Sequence, residues 1–139
     1  MTRTSTSLAL RSTVKDHAQG RCEYCHLPEE VGFARYEVDH VISEQHGGKT
    51  EQENLAYACM VCNKRKGPNL SSIDPETGER AWLYNPRTQQ WDDHFQLNRE
   101  GTIIGLTAEG RATAFLLVFN DFERVEDRRE LIELKKFSL

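Results

Sequence analysis

Two cysteine pairs, Cys22/Cys25 and Cys59/Cys62, each spaced by two residues, bracket 33 residues of this 139-residue chain. A Cys-x-x-Cys turn offers two sulfurs to one side, and two such turns complete the tetrahedral four-thiolate shell that zinc prefers. The stretch Thr2–Ser7 lacks an apolar signal core. The longest apolar run, Ala114–Phe119, falls far short of the roughly 20 residues of a spanning helix. A cytoplasmic protein without membrane contact, its thiols reduced, is therefore expected, and metal coordination outweighs two disulfides or an iron redox centre. Four sulfurs close the shell, so the zinc is scaffold and not catalyst, and His26 is read as a surface histidine.

The length suits one domain, and 37 % hydrophobic with 29 % charged residues gives a chain that folds with a modest core. The metal supplies what the core lacks. A net charge of -4 argues against indiscriminate nucleic-acid binding, but the excess is confined to one half. Residues 1–70 hold nine basic and nine acidic side chains, whereas 71–139 hold nine and thirteen. An anionic partner should meet the first half, at Lys64, Arg65 and Lys66, and the acidic second half could dock a protein partner.

The patterning predicts an α+β fold. A helix is expected over Leu8–Gln19, ended by Gly20, then a strand over Phe33–Ile42. A second strand over Leu55–Ala58 completes a hairpin with a long Gly47-Gly48 connection, and a short helix from Cys59 to Lys66 stops at Gly67-Pro68. Residues 69–80 read as a surface loop, Trp82–Tyr84 and Thr102–Ile104 as short strands. Thr107 caps a helix from 108 to about 118. Phe122–Phe137 reads as an amphipathic helix with Phe122, Val125, Ile132 and Leu134 near one face. His94 is read as packing between aromatics.

Between and just after the knuckles stand Val38-Asp39-His40-Val41-Ile42, His46-Gly47-Gly48, Asn54-Leu55 and Cys62-Asn63-Lys64-Arg65-Lys66. In this order and inside paired cysteines, these motifs resemble the HNH endonuclease family over about residues 21–68. The resemblance implies a ββα-metal core at 22–68; the helix within 1–21 is expected to lead into it, and 69–139 to form an extension packed on it. The resemblance further implies His40 as general base, Asp39 and Asn63 as protein ligands of a catalytic divalent cation, and Asn54 as the brace that orients His40. Ser43 stands where many members carry proline.

One carboxylate and one amide oxygen make a sparse hard-oxygen site suited to Mg²⁺ or Mn²⁺ that keeps water and takes substrate phosphate. Adjacent strand residues point to opposite faces, so Asp39 and His40 serve one site only through a bulge or a strand end. The expected activity is phosphodiester hydrolysis of nucleic acid, DNA before RNA. The alternative is a non-catalytic zinc-stabilised module that binds nucleic acid or protein.

Overall fold

The computed structural model describes residues 6–32 and 34–137. Phe33, where the sequence places the start of the first strand, lies outside the described residues, as do the first four residues of Thr2–Ser7. Two compact units form. One takes the described residues up to Leu70 together with Asn85–Thr88; the other takes Ser71–Tyr84 and Gln89 onward. No helix among the described residues is long and apolar enough to cross a membrane.

In the first unit, helix α1 (Leu8–His17) starts where the Ser7 hydroxyl accepts the Leu10 N–H, and it buries Val14. Strands β1 (Glu37–His40) and β2 (Leu55–Ala58) pair antiparallel in unbroken register, from Glu37 opposite Ala58 to His40 opposite Leu55. The first strand is shorter than the alternation suggests. Its pairing stops at His40 because the Asn54 side chain, not a strand backbone, takes the Ile42 N–H. Helix α2 (Met60–Lys66) begins at Cys59, whose sulfur accepts from the Cys62 N–H, and stops at Gly67 in a positive-φ conformation. Leu55 to Ala58 are all buried, and Tyr24, Tyr36 and Val38 join them around the cysteines.

The second unit holds more strand than the sequence suggests. The stretch read as a loop over 69–80 contains β3 (Ser71–Ile73), which pairs with β4 (Arg80–Trp82) around an Asp74–Glu79 turn. Asp74 makes that turn: its carboxylate accepts from the Glu76 N–H and the Thr77 hydroxyl and receives a two-pronged Arg111 guanidinium at 2.9 Å. Helix α3 (Trp91–His94) leads into β5 (Phe95–Leu97), which pairs with β6 (Ile103–Gly105); α3 and β5 are too short to leave a periodic signal. Helix α4 (Ala108–Leu116) is capped by Thr107 as expected, and the same hydroxyl meets His94 Nδ1 at 2.7 Å.

Helix α5 (Phe122–Glu133) departs from the expected amphipathic pattern, since Phe122 and Leu134 are exposed. Its fully buried residue is Arg128, whose guanidinium donates to the carbonyls of Gly101 and Phe119. Arg128 shares a helix face with the half-buried Val125 and Ile132, so the packed face is centred on a charged anchor that hydrophobic periodicity does not reveal.

The Arg111 guanidinium beside Asp74 holds that carboxyl down, at about 2. A depressed folded-state value stabilises the fold above the ordinary aspartate range and loses that stabilisation as pH falls through the folded value. The second unit should therefore lose stability between about pH 4 and pH 2. Replacing Asp74 by Asn should flatten that dependence, as thermal melts monitored through Trp82 and Trp91 can show.

Candidate functional site

The metal cluster is built by docking one knuckle against the end of a strand. The Glu23 N–H donates to the Tyr57 carbonyl at 2.8 Å, and the Glu23 carboxylate accepts the Tyr57 N–H at 2.8 Å. This pairing sets the Cys22–Cys25 turn beside the chain leaving β2, where Cys59 follows directly. Arg87, from the Asn85–Thr88 segment of the same unit, pairs with the second Glu23 oxygen. Within the turns, the N–H groups of Cys25 and Cys62 point at the sulfurs of Cys22 and Cys59, each at 3.4 Å.

All four cysteines are buried and their sulfurs lie within 4.8 Å of one another. The Cys25 and Cys59 sulfurs are 3.8 Å apart. A metal–sulfur bond of about 2.3 Å gives a tetrahedron with an edge of about 3.8 Å, so the box has the right size. Burial pushes the thiols of Cys22 and Cys62 well above their usual value, while hydrogen bonds from Cys22 and Cys62 pull Cys59 below it. Four thiolates in so dry a space need a cation among them, and the cysteines are positioned to hold one.

β1 pairs without a bulge and ends at His40, and the two side chains meet different partners, Tyr24 and Lys66 for Asp39, Thr50 and Glu44 for His40. The Asp39 carboxylate is buried, accepts the Tyr24 hydroxyl at 2.7 Å, and faces the Lys66 ammonium at 3.2 and 3.4 Å. Burial, and after it the charge of Asp39, pushes the Tyr24 phenol far up and keeps it a proton donor. Lys66 also donates to the His40 carbonyl at 3.1 Å, so a single ammonium ties both residues of the Asp-His pair to α2. Asn63 lies one helical turn before Lys66 and so shares its face. Its side chain is partly exposed and makes no hydrogen bond among the described residues.

The His40 ring, 4 % exposed, meets Thr50 and Glu44: Nε2 is 2.9 Å from the Thr50 hydroxyl and 4.0 Å from a Glu44 carboxylate oxygen. Asn54, expected to brace the loop and to orient His40 by hydrogen bonding, braces the loop backbone. Its amide oxygen accepts from the Ile42 N–H at 2.9 Å, and its amide nitrogen donates to the carbonyls of Ile42 and Lys49 at 2.8 and 2.9 Å. Gly48 is required in this loop, because a Cβ there would lie 1.6 Å from the Ile42 carbonyl oxygen. Tyr24, Glu44 and Thr50 are the site residues that sequence reasoning missed; each acts through one side-chain contact that leaves no spacing signal.

Of the three cations expected to face phosphate, Lys64 and Arg65 are exposed. Lys66 is buried at 1 % exposure, which removes it from that surface. The reason is helical phase: the third residue of the run turns toward β1, where Asp39 supplies the counter-charge.

An antiparallel hairpin followed by a short helix, beside four cysteines positioned to hold a metal ion, forms a ββα unit. Residues 22–69, about a third of the chain, match the family model described as HNH endonuclease. Comparison with curated proteins and with solved structures gave no match.

Proposed function

We propose that the chain is a metal-dependent endonuclease that hydrolyses phosphodiester bonds, with DNA as substrate. The match at residues 22–69 carries this reading, and that segment contains Asp39, His40, Asn54 and Asn63. The structural ion held by Cys22, Cys25, Cys59 and Cys62 is zinc, on the chemistry of four thiolates.

Asp39 and Asn63 would hold Mg²⁺ or Mn²⁺, for which a carboxylate and an amide oxygen are fitting donors. When bound, such a cation neutralises charge on the scissile phosphate and on the departing 3′ oxygen. His40 takes the proton of a water as its oxygen attacks phosphorus; the bond from phosphorus to the 3′ oxygen breaks, leaving a 5′-phosphate and a 3′-hydroxyl. Lys64 and Arg65 hold flanking phosphates without reading sequence. Asn54 keeps the loop beneath His40 closed through its three backbone bonds.

Supercoiled plasmid incubated with Mg²⁺ or Mn²⁺ should be relaxed or linearised by the native protein. His40→Ala should lower the rate by roughly 10²- to 10⁴-fold, the usual worth of a general base. Equal cleavage by both proteins would refute His40 as base, and absence of cleavage with either metal would favour the non-catalytic zinc module.

A further inference from the structure

The hairpin of β3 and β4 has two unlike faces. Helix α4 packs against both strands, and on β4 the half-buried Ala81 stands between Arg80 and Trp82, which are both exposed. The register pairs Ser71 with Trp82 and Ile73 with Arg80, so these four residues share one face, on which Ile73, Arg80 and Trp82 meet solvent.

Trp82 is 62 % exposed, whereas a tryptophan ordinarily buries most of its large apolar area. The Arg80 guanidinium lies over the indole, 5.8 Å from the ring centre, and no other ring stacks on it among the described residues. One side of the indole thus carries a cation while the other stays open. Arg80 has no carboxylate partner among the described residues; Asp74 and Glu76, in the turn of the same hairpin, both face Arg111.

A protein hot spot would bury such a tryptophan within a ring of water-excluding contacts. Here its cross-strand neighbour is a serine and its neighbour along the strand face is a cation. An open aromatic plane with a lone guanidinium beside it matches a nucleotide, the plane taking the base and the cation a phosphate. The acidic balance of 71–139, nine basic against thirteen acidic side chains, works against a duplex, which carries one charge per about 1.7 Å. A single strand is less densely charged and its bases have free π faces.

We propose that the exposed face of the β3–β4 hairpin is a stacking platform for an unpaired base of single-stranded nucleic acid, with Trp82 beneath the base and Arg80 on the adjoining phosphate. The platform lies outside residues 22–69, and it rests on the nuclease reading for its choice of nucleic acid as the ligand.

The test uses the full zinc-loaded chain with no Mg²⁺ or Mn²⁺ added, so that binding is read without cleavage. It is titrated with short oligo(dT), with oligo(U) and with a duplex of the same length. Tryptophan fluorescence should be quenched by either single strand, and Trp82→Phe should remove that quenching although Trp91 remains. By anisotropy of labelled oligo(dT), Trp82→Ala should weaken binding roughly five- to a hundredfold, the worth of one stacked base, and Trp82→Phe by about threefold or less. Arg80→Ala should reduce the salt dependence of binding by about one phosphate contact. Because Trp82 is exposed, its variants should melt as the native protein does.

Affinity for oligo(dT) unchanged in Trp82→Ala, or tryptophan fluorescence that saturating single strand leaves untouched, would overturn the proposal and leave this face to a protein partner. Quenching by duplex as strong as by single strand would overturn the preference for unpaired bases. A native protein that binds oligo(dT) through Trp82 but cuts no plasmid when metal is added would refute the nuclease reading alone.

Discussion

Removing metal from Cys22, Cys25, Cys59 and Cys62 should unfold the unit that contains the segment matching the HNH model. The four sulfurs sit at the meeting point of the first knuckle, the end of β2 and the start of α2, and no disulfide links them. Structural zinc contributes about 10–16 kcal/mol in small zinc-finger peptides, which equals or exceeds the roughly 5–15 kcal/mol that holds a whole domain. Metal analysis should give one zinc per chain. A strong chelator should abolish the near-ultraviolet dichroism of Tyr24, Tyr36 and Tyr57, all buried in that unit, and added Zn²⁺ should restore it. Cys62→Ser should act in the same direction without chelator. A tyrosine signal unchanged in metal-free protein would show that the sulfurs do not hold the fold.

The cysteine framework was legible in the sequence because metal chelation imposes a spacing on the chain, and spacing survives in a one-dimensional record. The same holds for β2 and α2, each delimited by a chemical signal: the buried Leu55–Ala58 run and Gly67. What escaped reading depends on single long-range contacts. Asp74 turns an apparent loop into a hairpin by accepting from Arg111, 37 positions away, and Arg128 anchors α5 by donating to the carbonyls of Gly101 and Phe119. At the site, the order of motifs indicated which residues matter but not their pairings. Asn54 braces the loop as expected, through the backbone of Ile42 and Lys49, while the side chain that meets the imidazole is Thr50.

Lys66→Met should be the most damaging charge deletion on α2, although Lys64 and Arg65 stand beside it in sequence. Lys66 is fully enclosed, and its loss would remove the ammonium that faces the buried Asp39 carboxylate at 3.2 Å. Removing one member of a buried pair costs about 3–5 kcal/mol. In a unit of this size that lowers Tm by roughly 12 °C or more. Lys64→Ala and Arg65→Ala, both exposed, should each change stability by about 0.5 kcal/mol or less. The double variant Asp39→Asn/Lys66→Met should lose less than the sum of the two single variants, because the second change removes the charge stranded by the first. The pairing also bears on chemistry, since a divalent cation bound at Asp39 must share or displace an ammonium 3.2 Å away. Additive losses in the double variant would show that Lys66 serves α2 and the His40 carbonyl alone, leaving Asp39 to be held by Tyr24.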